Sequence, residues 1–184
     1  FRRMAYFDYN ATTPLNPSGR QEMLDALDGF WSNPSSPYKD SALVHNALES
    51  AREKLSVRLK KSQKEVVFTG GATEANNGVI EYLAGLLPGA KKLAISPFEH
   101  PSVAEAASHY FHDRVHVLKT TQAGIIDLVY LDERLKSGDL GAISLMAVNN
   151  ETGVIQPWEA VGQRCRENGL LFHCDASQWF GKCP

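Results

Sequence analysis

Four polar clusters stand where apolar runs end: GGATEANN (70–77), PFEHPS (97–102), NNETG (149–153) and DASQ (175–178). In the first, two glycines let the backbone turn tightly before Ala72, Thr73 and Glu74 open a helix. The first N–H groups of a helix have no intrahelical acceptor and lie at the positive end of its dipole, so such a turn can cradle a phosphate, and Thr73 adds a hydroxyl. A plain glycine turn capped by Thr73 accounts for the same residues. The pattern is neither a P-loop, since no Gly-Lys-Ser/Thr follows, nor a dinucleotide fingerprint, since the third glycine is absent. In the second cluster, Glu99 and His100 stand just before a helix. In the third, Asn149, Asn150 and Glu151 are costly to bury without partners, and they serve either a turn or a ligand. In the fourth, Asp175 ends an apolar run; a carboxylate there is a common turn former. Taken together, the clusters describe a pocket with an anion cradle, an imidazole, amides and a carboxylate. Its ligand carries a phosphate at one end and a group needing a negative partner at the other.

The elements that must position these clusters alternate. Asn16 and Pro17 form a helix start, and a helix to about Phe30 carries Met23, Leu24, Leu27 and Phe30 on one side. A Pro/Ser loop (32–41) leads to a longer helix, about 41–60, with Val44, Leu48, Ala51 and Leu55 at helical spacing. Short apolar runs at 65–69, 92–96, 114–119, 141–148 and 170–174 read as strands. Helices are expected between them at 73–86, 101–111, 128–137 and 157–168, the last ended by Gly169. This pattern predicts an α/β fold: a mainly parallel sheet covered by helices on both faces. Ligands of such sheets bind beyond the carboxyl ends of the strands, where the polar clusters stand.

The 184 residues are 43% hydrophobic with a net charge of −2, enough for a sizeable core and against a dominant nucleic-acid surface. No apolar run approaches a membrane span and no secretory leader is evident, so a cytoplasmic protein without nucleic-acid or membrane partners is expected. Cys165, Cys174 and Cys183 match no metal or redox spacing. The first two read as small apolar residues of a helix and a strand, and the third as a free thiol; none is expected to be catalytic. No metal site is expected. Met4 reads as a natural start, with residues 1–3 an upstream extension.

The motifs YFDYNATTPLNP, SNPSS, VVFTGGATEANN, FEHPSV, GIIDL, VNNETGVIQP and HCDASQWFGK follow one another in an order that resembles the cysteine desulfurases. These are pyridoxal-phosphate enzymes of the class V aminotransferase group with the fold type I architecture, and the likeness runs from about Ala5 to the end of the chain. The resemblance implies pyridoxal 5'-phosphate as cofactor and assigns residues to it. Ala72 and Thr73 resemble the phosphate-binding pair. His100 is similar to the histidine stacked on the pyridine ring, which also takes part in proton transfer and is the catalytic candidate. Asn150 resembles the asparagine beside the ring oxygen and substrate. Asp175 is similar to the aspartate paired with the ring nitrogen, and Gln178 to the glutamine bonded to the phenolic oxygen. The activity implied converts L-cysteine to L-alanine and passes sulfur, as an enzyme persulfide, to iron–sulfur cluster assembly or another acceptor protein. A homodimer is also implied.

The resemblance further implies that this chain is the N-terminal half of such an enzyme. Residues 1–14 are expected to associate with the small domain, and 15–184 to form the N-terminal part of the large one. The Schiff-base lysine and the persulfide cysteine are expected downstream. Lys182 is not expected to be that lysine, because relatives carry a lysine at this place as well, and Cys183 is a poor stand-in for the persulfide cysteine. A lone half is expected to be stable only with its missing part or in a tight dimer. Two departures bear on substrate choice. Tyr38 and Ser41 stand about where relatives have His and Gly after the Asn-Pro-Ser-Ser motif, and Ala147 stands where many have His. Selenocysteine lyase or another class V reaction, and a non-catalytic half-enzyme, are the alternatives.

Overall fold

The computed structural model describes residues 5–183, which divide between residues 68 and 69 into two compact units. The reading of Met4 as a start lies outside the described residues.

The first unit holds two helices. Helix α1 (Pro17–Gly29) starts as its sequence dictates: the Asn16 side chain accepts from the Ser18 N–H at 2.9 Å, and Pro17 occupies the first turn, where its missing N–H costs nothing. Met23, Leu24, Leu27 and Phe30 are all exposed. Helix α2 (Lys39–Leu59) ends at Lys60, which takes the left-handed conformation.

The expected strand at 65–69 does not form. The main-chain N–H groups of Glu65 and Val66 turn back onto the Ser62 and Gln63 carbonyls, closing a 3-10 turn. The Val66 carbonyl accepts from Arg52 Nε, whose guanidinium lies 5.0 Å from the Phe68 ring centroid. Turn bonds and the Arg52 guanidinium therefore take backbone groups of Glu65 and Val66 that a ladder would need, and Val67 is 76% exposed rather than buried.

The second unit is the α/β layer. Helix α3 (Ala72–Leu86) precedes strand β1 (Lys92–Ile95), and α4 (Pro101–Phe111) precedes β2 (Val115–Val117). Then come α5 (Leu128–Leu135), β3 (Leu140–Ser144), α6 (Trp158–Glu167) and β4 (Leu171–His173). Gly169, just past α6, has φ 67°, the left-handed conformation that lets a helix stop. The four strands are parallel in the order β2-β1-β3-β4. Alternation along the strands, reset in β3 where the register skips Gly141, splits the core into two layers. Leu93, Ile95 and Ala142 pack with Ile80 and Leu83 of α3 and Val103, Ala107 and Phe111 of α4. Ala94, Leu140 and Ile143 pack instead with Leu131 of α5 and Val161 and Cys165 of α6. Helices thus cover both faces, and the apolar side chains of the central strands β1 and β3 are buried on each, while Val117 and Leu171 on the edge strands are exposed.

The strand order places a switch point. From β1 the chain moves to β2 on one side, then returns across β1 to β3 on the other. The connections leaving the carboxyl ends of β1 and β3 therefore diverge and leave a crevice between them, the place where such sheets bind ligands. Beyond Ser144 the ladder continues in extended backbone: Leu145 N–H donates to the His173 carbonyl at 3.0 Å, and Ala147 N–H to the Asp175 carbonyl at 2.9 Å. This pairing brings Asp175 beside the end of β3.

Candidate cofactor site

Asp175 is 8% exposed and is surrounded by donors. Its Oδ1 accepts from the Ser177 N–H at 2.9 Å and the Ser177 hydroxyl at 2.6 Å; its Oδ2 accepts from Asn76 Nδ2 at 2.8 Å. Burial pushes the pKa up, but the hydrogen bonds from Ser177 and Asn76, helped by the nearby His173, outweigh it and leave the carboxyl below its ordinary range. Asp175 is thus held as a carboxylate. A carboxylate offers about four lone-pair sites, and three are taken, so Oδ2 keeps one for a further N–H donor.

The other expected residues lie on neighbouring elements of the same unit. Ala72 and Thr73 form the first turn of α3, directly after Gly70 and Gly71. Gly70, Gly71, Thr73, Glu74 and Asn77 line a depression of about 530 Å³ at this helix start. Glu74 Oε2 accepts from the Gly70 N–H at 2.6 Å, so the loop already holds a carboxylate on one of its donors, and a Cβ added at Gly70 would come within 3.0 Å of that oxygen. His100 caps α4: its Nδ1 accepts from the Ser102 N–H at 3.1 Å. Asn77 ties the two helix starts together, its Nδ2 donating to the Thr73 carbonyl at 2.9 Å and to the Ser102 carbonyl at 3.2 Å. Asn150 is half-buried in the turn after β3, and Gln178 is half-buried in the turn after Asp175, where its Oε1 accepts from Lys182 Nζ.

Three further residues belong to this region. Asn149, buried, donates through Nδ2 to the Phe98 carbonyl at 3.2 Å, and its Oδ1 accepts from the Glu151 and Thr152 N–H groups at 3.0 and 2.8 Å. It therefore serves the turn and also laces the end of β3 to the loop after β1. Asn76 and Ser102 were not singled out by sequence reasoning. Ser102 caps back onto His100 two residues away, but the bonds of Asn76 reach Ser102 and Asp175 over 26 and 99 residues of sequence, so no local pattern shows that the three are joined.

The three cysteines differ in their surroundings. Cys165 is fully buried in α6, and burial pushes its thiol up to about 11. Cys174 lies just beyond β4 rather than in it; burial, then the nearby Glu99 and Asp175 carboxyls, push its thiol up to about 12. Cys183 is free and half-buried. Among the described residues no group of His, Cys, Asp and Glu forms a metal site, and no helix is long and apolar enough to cross a membrane.

A cradle at a helix start, a histidine at a second helix start and an ionised aspartate at a strand end thus share one side of a parallel sheet. A sequence model of the family described as Aminotransferase class-V matches residues 5–184. The chain belongs to the class-V aminotransferase family.

Within that family, cysteine desulfurases are among the proteins it is similar to. It is 39% identical over 183 residues to cysteine desulfurase IscS of Rickettsia bellii, covering 97% of this chain and 44% of that protein. It is 37% identical over 186 residues to the mitochondrial cysteine desulfurase of Candida maltosa, covering 99% of this chain and 38% of that one. Among solved structures, SspA in complex with cysteine superposes with a TM-score of 0.88 at 32% identity, covering 97% of this chain and 52% of the other. The chain therefore spans about half or less of the length of the relatives it matches. The architecture is that part of the fold type I desulfurase structures, and the family uses pyridoxal 5'-phosphate.

Proposed function

We propose that this chain forms the cofactor-binding half of a pyridoxal-phosphate-dependent cysteine desulfurase. The observation that carries the proposal is Asp175: a buried carboxylate, kept ionised by three hydrogen bonds, with one acceptor site to spare at a strand end. Bound there, pyridoxal phosphate supplies an electron sink for the α-carbon of an amino acid.

Six residues of the chain would hold that group. The unpaired first-turn N–H groups of α3, at Ala72 and Thr73, would take the phosphate together with the Thr73 hydroxyl. His100 would face the ring. The Asp175 carboxylate favours a protonated ring nitrogen, because its negative charge stabilises the cationic partner in a site shielded from water. Gln178 and Asn150 would serve the ring oxygen. The Schiff-base lysine and the persulfide cysteine are assigned to sequence beyond this chain. Lys182 is not placed in that role, because relatives carry a lysine at this place in addition to the Schiff-base lysine. L-Cysteine as substrate, a sulfur-acceptor protein as partner, a homodimer and a cytoplasmic setting complete the reading, in which residues 15–184 contribute to the large domain.

The test is the reaction itself. The complete protein, reconstituted with pyridoxal phosphate, is expected to release alanine and, with a thiol reductant, sulfide from L-cysteine in equal amounts. Turnover of L-selenocysteine without turnover of L-cysteine would instead select the lyase alternative suggested by Tyr38, Ser41 and Ala147. No turnover of either would leave the non-catalytic reading.

A further inference from the structure

Asp175 and His100 stand on different elements, yet two side chains join them. Asn76 Nδ2 donates to Asp175 Oδ2 at 2.8 Å and to Ser102 Oγ at 2.9 Å. Ser102 Oγ in turn lies 2.8 Å from His100 Nδ1. Asn76 is 4% exposed and Ser102 7% exposed, so water competes little for these bonds.

The direction of every bond follows from the chemistry of the groups. An ionised carboxylate only accepts, so the Asn76 amide must face Asp175 with its NH2. That NH2 only donates, so Ser102 Oγ accepts from it. The one hydroxyl proton of Ser102 is then left for His100 Nδ1. The Ser102 main-chain N–H, which can only donate, points at the same ring nitrogen at 3.1 Å. Nδ1 is thus an acceptor twice over, and the proton of the neutral imidazole belongs on Nε2.

We propose that Asn76 and Ser102 are positioning residues that hold His100 in the Nε2–H tautomer and tie its ring to Asp175. His100 then presents a proton donor, not a lone pair, on the side of the ring away from α4. In the resting protein it is built to stack and to donate, and it accepts a proton at Nε2 only after the relay rearranges. That His100 meets a cofactor ring rests on the reading given under Proposed function; the tautomer does not.

The experiment is a 15N correlation spectrum of the histidine rings in the complete protein, without added cofactor, at a pH where imidazole is neutral. His100→Gln serves only to assign the signal. The wild-type ring is expected to show the Nε2–H pattern. Ser102→Ala, which loses the hydroxyl but keeps the main-chain donor, should move the Nδ1 resonance toward that of an unbonded ring nitrogen, and Ser102→Thr should restore it. Asn76→Ala, which does not touch the ring, should move the same resonance while the signals of His109 and His112 stay in place. An Nδ1–H pattern in the wild type overturns the proposal, whatever the variants do. So does a His100 signal that ignores Ser102→Ala, and so does one that ignores Asn76→Ala in a folded protein. Pyridoxal phosphate is then added to the same wild-type sample and visible absorption recorded. The expected tautomer with no cofactor band sinks the cofactor reading and leaves the relay; a band with the Nδ1–H pattern does the reverse.

Discussion

Glu99 reaches from the loop after β1 to the end of β3, where its Oε1 accepts from the Met146 N–H at 2.8 Å; its Oε2 is buried with no hydrogen-bond partner among the described residues. Burial, only partly offset by the Met146 bond and reinforced by the charge of Asp175, raises its pKa from 4.5 to about 8. Glu99 is therefore a neutral acid at pH 7, and two carboxyls in one crevice divide their roles: Asp175 carries the charge and Glu99 the lacing. The sign of the pH effect follows. The folded state keeps this proton where the unfolded chain loses it, so Glu99's contribution is complete below about pH 4.5 and is lost as pH rises through about 8. Urea unfolding of the complete protein across that window should show stability falling by a few kcal/mol in excess of the Glu99→Gln variant, whose neutral amide cannot ionise. Parallel curves for the two proteins would mean that Glu99 is ionised in the fold.

Thiol chemistry should separate the three cysteines. Cys165 and Cys174 are held as thiols by pKa values of about 11 and about 12, and the thiolate is the nucleophile. Brief alkylation of the native protein at pH 8 should therefore label Cys183 and spare the other two until denaturant is added, as read by peptide mass mapping. Native labelling of Cys174 faster than Cys183 would contradict its placement against Glu99 and Asp175.

Gly141 in β3 is a packing requirement. A Cβ there would come within 2.8 Å of Leu87 Cδ2 and 2.9 Å of Lys91 Cβ. Gly141→Ala should lower unfolding stability by about 1–3 kcal/mol, the usual penalty for overpacking a filled site, without changing the cofactor spectrum. An unchanged denaturation midpoint would show that the Leu87 side chain moves aside freely.

The sequence was legible where local rules and tertiary needs agree. Pro17 and Pro101 mark the starts of α1 and α4, and Gly169 with its left-handed backbone marks the end of α6. The parallel sheet and its two helical layers followed from continuous apolar runs such as LAI and GAIS. The segment EVVFT misled for the same reason: apolar composition cannot say whether a neighbouring strand is there to pair with, and here the Ser62 turn and Arg52 take its backbone groups. Of the site, sequence supplied the family-like residues at the strand ends. It did not supply the bond from Asn76 to Asp175, the bond from Asn76 to Ser102 or the task of Glu99, because each of these forms only after the fold has brought distant segments together.

Cofactor binding by the complete protein, with and without the Asp175 carboxylate, tests the role of Asp175 most directly. Titration with pyridoxal phosphate, followed by visible absorption, should give a bound-cofactor band in the wild type. Asp175→Ala removes one charged hydrogen-bond partner and should weaken binding by about 10- to 100-fold, at about 1.5–3 kcal/mol for such a bond, and alanine production from cysteine should slow with it. A wild-type protein that gives no band, or an Asp175→Ala variant with the wild-type band, affinity and turnover, would contradict the assignment of this strand-end carboxylate to the cofactor.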